Sequence, residues 1–227
     1  EGDTVSFLYE HLSQVAELQT RAALFSTEEP WQLLIYVSTL VDRTSHPYWP
    51  FLRPADYPEL DPALAAPYAG TVLDAYRATD AQLGRFLAAI QADAYVVLAS
   101  DHGFASDLKG EKEEIEGIHH QDGIYLVSGP GIAAAEGPRA RIADVAPTVL
   151  HLLGLPVAAD MAGRVIAPVA EAELGHALRT VETFETGRRY VGLEPAATFD
   201  AAGDVDEATW SQLRDLGYVG DDDSEGE

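Results

Sequence analysis

Three short apolar runs, each flanked by amphipathic helical stretches, constrain the fold of this chain more than any other feature. They are Trp31-Gln32-Leu33-Leu34-Ile35-Tyr36-Val37, Ala94-Tyr95-Val96-Val97-Leu98-Ala99 and Ile124-Tyr125-Leu126-Val127-Ser128. Such runs suit strands covered on both faces. Val5, Leu8, Leu12, Val15, Leu18 and Leu24 recur at helical spacing and predict a helix over 3–24, with Asp3 or Thr4 as its cap. Val72, Leu73, Tyr76, Leu83, Phe86, Leu87 and Ile90 predict a second over 68–92. A third over 143–154 starts near Ala143 or Asp144 and stops at Gly154. Strands alternating with helices predict an α/β fold with a largely parallel sheet covered on both faces.

The remaining segments are read from composition. Pro47, Pro50, Pro54, Pro58, Pro62 and Pro67 predict a loop, with neither regular helix nor central strand. Residues 104–122 read as a polar loop containing the charged stretch Lys109 to Glu116. A short helix is expected at 170–179 and a last one at about 207–216, before an acidic, disordered tail from Asp221 to Glu227. The chain opens Glu1-Gly2-Asp3-Thr4 without an initiator Met, as expected of a processed product or a piece of a longer protein. At 227 residues it is long enough to bury a core without staples.

Fourteen Lys and Arg against thirty-eight Asp and Glu give a net charge of −24. That balance argues against non-specific binding to nucleic acid and against anionic membranes, which require positive charge. No window approaches about 18 consecutive apolar residues, so no membrane span is expected. The absence of cysteine excludes disulfides, zinc-thiolate sites and thiol nucleophiles.

Ligand-type residues gather where the predicted strands end. Asp42 and His46 follow the first run in the pattern Asp-x-x-x-His. Asp101 and His102 follow the second, with Gly103 expected to allow the sharp turn that would aim both at one cation. His119 and His120 stand in Gly117-Ile118-His119-His120-Gln121-Asp122-Gly123. Taken singly, each has a bland explanation: a turn-capping Asp, a satisfied core histidine, a loop pair without a task. His11, His151 and His176 sit within predicted helices and are read as structural. Together, Asp42, His46, Asp101, His102 and His119 place two carboxylates and three imidazoles at one edge of a sheet. This donor set suits a pair of zinc-like ions about 3.5–4 Å apart. Calcium or magnesium alone would prefer oxygen donors, while copper, manganese and iron stay compatible with these residue types.

The order Asp42-x-x-x-His46, then Ser100-Asp101-His102-Gly103-Phe104, then Gly117 to Gly123 resembles the alkaline phosphatase superfamily. It is closest to the type I phosphodiesterase/nucleotide pyrophosphatase branch. Ile142 to Pro156 resembles the helix that follows the metal-binding strands there, and Asp160-Met161-Ala162-Gly163-Arg164 its Asp-x-x-Gly-Arg turn. Leu213-Arg214-Asp215-Leu216-Gly217-Tyr218 is similar to a terminal motif of these proteins and of sulfatases. The resemblance covers about residues 30–170 and the C-terminal motif.

It implies a three-layer α/β/α sandwich, incomplete on its N-terminal side. Residues 1–170 would form the C-terminal part of the catalytic domain, 171–220 an extension and 221–227 the tail. It implies two divalent metal ions, zinc being expected: Asp42, His46 and His119 on one, Asp101 and His102 on the other. The family's second metal also takes an Asp from the first strand and a Thr or Ser nucleophile, neither of which has a counterpart here. Ser26 and Thr27 lie upstream of Asp42, but in a loop after a helix. The expected activity is therefore metal-dependent hydrolysis of a small phosphodiester or other phosphate ester by a longer enzyme, of which this chain is the C-terminal half. A sulfatase, phosphomonoesterase or phosphonate hydrolase of the same superfamily, or a non-catalytic metal-binding module, are the alternatives. Trp49, Phe51 and Tyr57 are read as packing under the Pro-rich segment rather than as a stacking platform for substrate.

Overall fold

The first helix, α1 (Gly2–Ser26), has no proline and no internal glycine, and it buries a narrow stripe of small side chains. Ala16 packs with Leu40 of α2 (Leu40–Leu52) and Ala75 of α4 (Thr71–Ala89), with Tyr9, Leu12, Val41 and Ala78 closing around them. Alanines at the crossing let the three helices approach closely. The computed structural model describes residues 2–107 and 115–185. Contacts divide the chain into two units, Glu1–Ala135 and Glu136–Glu227. The helix expected at 207–216, the tail and the motif Leu213 to Tyr218 lie outside the described residues. No helix among the described residues is long and apolar enough to cross a membrane.

The run 31–37 belongs to no helix or strand among the described residues. Its burial alternates: Leu33, Ile35 and Val37 are exposed, while Tyr36 is held by a hydrogen bond between its hydroxyl and Thr20 Oγ1 (2.9 Å) and by ring contact with Phe86.

The Pro-rich expectation fails in its first third. Residues 40–52 form α2, with Pro47 and Pro50 inside it. Each proline removes one helical hydrogen bond, at a cost of roughly 3 kcal/mol in an exposed helix. Burial overrides that cost, because Leu40, Thr44, Ser45, Tyr48 and Pro50 are all buried. Beyond α2 the chain makes 3-10 turns at Pro54–Asp56 and Ala66–Tyr68 around a single helical turn, α3 (Pro62–Ala65), capped by Asp61.

Among the described residues the strands form three two-stranded pairs, not one parallel sheet. β1 (Val96–Ala99) pairs antiparallel with β4 (Tyr125–Ser128), and β2 (Gly103–Ser106) antiparallel with β3 (Gly117–His120). The supposed loop 104–122 therefore contains two strands. The two ladders follow one another along a single bent ribbon, because Ala99 faces Tyr125 and Gly103 faces His120. Three residues, 100–102, then stand opposite four, 121–124. This one-residue mismatch is a bulge, closed by Ser100 N–H to Ile124 O and by Ile124 N–H to Ser100 Oγ, both 2.9 Å.

In the second unit a 3-10 turn, Ile142–Asp144, leads into α5 (Val145–Leu152). Asp144 accepts from the amides of Arg141 (2.8 Å) and Arg164 (2.9 Å), stapling the Asp160–Arg164 turn to the helix start. Burial acts to raise the Asp144 carboxyl, but these amides and the Arg141 guanidinium outweigh it and hold it below its ordinary value. β5 (Val157–Ala158) pairs parallel with β6 (Thr180–Val181), the one parallel pair among the described residues. The helix expected at 170–179 is absent. Only α6 (Ala167–Ala170) forms, and the chain then turns at 172–174, with Gly175 at φ +77°.

Candidate metal centre

The helical fold of 40–52 changes what Asp-x-x-x-His means. Four residues is one helical turn, so Asp42 and His46 lie on one face of α2. His119 reaches that face from β3, and His102 reaches it from the bulge just before β2. Neighbouring residues on a strand point to opposite faces, so His119 and His120 cannot share a role. His119 Nε2 lies 3.0 Å from His46 Nε2, whereas His120 is exposed and its Nδ1 accepts from the Asp122 amide at 3.2 Å.

Asp42 Oδ1 is the common point. It lies 3.4 Å from His119 Nε2, 3.7 Å from His46 Nε2 and 3.8 Å from His102 Nε2. Asp101 stands at the rim, 61% exposed, with Oδ1 3.7 Å from His102 Nε2. Asp42, His46, His102 and His119 thus lie together, and Asp101 reaches this group at its rim through His102. The tightest set is Asp42, His46 and His119, whose donor atoms lie within 4.8 Å of one another.

Hydrogen bonds fix which ring nitrogens face inward. His46 Nδ1 is 3.1 Å from the Gly117 carbonyl, and His102 Nδ1 is 3.1 Å from the Gly103 carbonyl. A carbonyl only accepts, so each Nδ1 carries a proton, which leaves Nε2 as the nitrogen each ring can offer to a metal. These Nε2 atoms, with that of His119, surround a carboxylate oxygen, Asp42 Oδ1, which is buried without any hydrogen-bond donor. Clustered lone pairs and a negative oxygen repel unless a cation or proton sits among them. The donor set and its carbonyl-anchored imidazoles therefore fit a divalent metal.

Phe104 walls the cluster, its ring centroid 5.0, 5.4 and 5.7 Å from those of His46, His119 and His102. His102 and His119 stack at 3.7 Å. Gly117 allows β3 to touch α2, since a Cβ there would come within 2.5 Å of Trp49 Cβ and 3.0 Å of the Ser45 carbonyl. Gly103 serves close approach rather than the expected turn, because its Cβ would lie 2.6 Å from the Asp122 carbonyl. Sequence reasoning missed Gly117 as the anchor of His46, and also Glu116, whose Oε2 is 3.7 Å from His46 Nδ1. The Gly-x-His spacing held that signal.

Elsewhere, Ser26 and Thr27 bond back to the carbonyls of Ala22 and Leu24 at the end of α1. Trp49 packs on Phe104, Phe51 on Tyr48 and Tyr68, and Tyr57 is buried, so these aromatics pack. In the second unit His176 Nε2–H donates to the His151 carbonyl at 2.8 Å.

Comparison with known proteins agrees with this chemistry. Three curated relatives are 2,3-bisphosphoglycerate-independent phosphoglycerate mutases. That of Shewanella denitrificans is 33% identical over 98 residues, covering 43% of this chain and 19% of the relative. That of Dinoroseobacter shibae is 38% identical over 94 residues, covering 38% and 18%. That of Synechococcus elongatus is 34% identical over 112 residues, covering 44% and 21%. The matched part spans about a fifth of the length of each relative. No solved structure matches the chain significantly. The family model of type I phosphodiesterase / nucleotide pyrophosphatase matches residues 5–156, from within α1 to just past α5. The chain therefore belongs to the type I phosphodiesterase/nucleotide pyrophosphatase family, within the alkaline phosphatase superfamily of metal-dependent phosphoryl-transfer enzymes.

Proposed function

We propose that this chain carries the metal-binding part of a hydrolase acting on phosphate esters, a phosphodiesterase or nucleotide pyrophosphatase, with zinc as the ion. The observation that carries the reading is the orphaned, buried Asp42 Oδ1 facing the three imidazole Nε2 atoms. In this reading Asp42, His46 and His119 hold one ion, and Asp101 and His102 contribute to a second. Bound divalent ions would neutralise the phosphoryl oxygens and lower the pKa of a coordinated hydroxyl. The chain's own residues keep the donors in place. The Gly117 carbonyl holds the His46 ring with its Nε2 inward, and the Gly103 carbonyl does the same for His102. The Phe104 ring packs against all three imidazoles. The Thr or Ser nucleophile and a further carboxylate are assigned to residues outside 1–227. The three-layer sandwich with a largely parallel sheet, and the partition at residues 170 and 220, belong to the same proposal.

The names of the relatives favour a second reading, in which the phosphoryl group passes to another hydroxyl rather than to water. The test is an assay with zinc of the 227-residue chain beside a version extended upstream. The substrates are bis(p-nitrophenyl) phosphate and p-nitrophenyl phosphate. The extended protein should prefer the diester and lose at least about 100-fold in rate with Asp42→Ala, while the short chain stays at background. Transfer to an added alcohol without release of phosphate would favour the second reading. Rapid turnover by the short chain, abolished by Asp101→Ala, would mean that the nucleophile lies within it.

A further inference from the structure

The ribbon β2–β3 brings His119 and His102 to α2, yet its ladder ends at the Ser106–Gly117 pair. The next pair in register is Asp107 with Glu116, and there a side chain takes the place of a rung. Tyr57 Oη donates to the Glu116 carbonyl at 2.8 Å and accepts from the Asp107 amide at 3.2 Å. Tyr57 is 3% exposed, and burial raises its pKa, which keeps the hydroxyl protonated as a donor. One rung inward, Ser106 Oγ accepts from Trp49 Nε1 (3.2 Å) and donates to Asp56 Oδ2 (2.7 Å), which also receives Arg53 Nε (3.1 Å). The Ser106 hydroxyl, and then Arg53, hold the Asp56 carboxyl below its ordinary value. Trp49, Arg53, Asp56 and Tyr57 all belong to the end of α2 or the turn that follows it. The Pro-rich segment thus ties the open end of the ribbon onto the helix that carries Asp42 and His46. Next to Glu116 stands Gly117, whose carbonyl anchors His46.

We propose that the Tyr57 hydroxyl is a positioning group for the metal centre. By holding Asp107 and Glu116 where a fifth rung would stand, it fixes β3 against α2 and so sets the separation of His46 from His119. The proposal rests on the reading of the cluster as a metal centre. It goes beyond that reading because Tyr57 acts through backbone groups of the ribbon and not as a ligand.

The test compares two buried tyrosines on the full chain. Tyr57→Phe removes only the bridging hydroxyl. Tyr48→Phe removes a hydroxyl that is also buried and also accepts from a backbone amide, that of Tyr9 in α1 at 3.2 Å. Zinc affinity is read by calorimetry, and ligand geometry by the visible absorption of the cobalt(II)-loaded chain. Tyr57→Phe should weaken zinc binding about tenfold and shift the cobalt bands, with Tyr48→Phe within about twofold of wild type and spectrally unchanged. Wild-type affinity and spectrum in Tyr57→Phe, or equal losses in the two variants, would overturn the positioning role. Absence of zinc binding by the wild-type chain would overturn the metal centre itself, and the role with it. Should Tyr57→Phe fail to fold, Ser106→Ala cuts the neighbouring tie and should weaken zinc in the same direction; unchanged affinity there would likewise overturn the proposal.

Discussion

Asp42 lies in the first turn of α2 with its Oδ1 buried, unbonded and faced by imidazole nitrogens. His119 supplies the nearest of these, at 3.4 Å, and His120 supplies none. His119→Ala should therefore weaken zinc by at least about 100-fold, while His120→Ala leaves the affinity unchanged; calorimetric titration of both variants checks this. The pair His151–His176 in the second unit makes a separate prediction about pH. Burial lowers the pKa of His151, and the facing His176 lowers it further. A histidine whose folded pKa is depressed takes up its proton more readily unfolded, so folding is penalised as pH falls below the unfolded value of about 6.5. Amide-exchange protection of α5 should fall between about pH 7 and 5.5, and fall less in His151→Phe. An identical fall in the variant would show that other groups govern the acid sensitivity.

At the scale of elements, what was legible and what was not follows from the range of the interactions. α1, α4, β1 and β4 are encoded by local periodicity, and each forms within a few residues of its expected bounds. The direction of pairing is not encoded in four apolar residues, so the antiparallel ribbon had no local signal. Nor had the anchor of His46, which lies 71 residues away in sequence at Gly117. The ligand types were legible because they cluster in short motifs, but their meeting depends on α2 being a helix despite Pro47 and Pro50. Pro47→Ala should restore the missing donor to the Arg43 carbonyl and stabilise the chain by about 1 kcal/mol, offset in part by greater freedom of the unfolded state. A raised urea midpoint at unchanged slope checks it. Gly117→Ala tests the contact of α2 with β3. Its Cβ would collide with Trp49, so a loss of about 1–3 kcal/mol is expected in the same measurement, together with weaker zinc binding.

At the scale of the whole molecule, the net charge of −24 and the phosphoryl-transfer family fit together only if positive charge is concentrated at one place. The cluster on α2 and the ribbon is where a bound cation would put it. The chain spans a small part of its curated relatives, so the metal centre is the portion of their chemistry that these residues can be tested for directly. The decisive measurement is diffraction from crystals of the chain grown with zinc, recorded on both sides of the zinc absorption edge. An anomalous peak is expected about 2.0–2.2 Å from Asp42 Oδ1, His46 Nε2 and His119 Nε2. A map with no peak there, or with zinc held at His120 or at the His151–His176 pair instead, would contradict it.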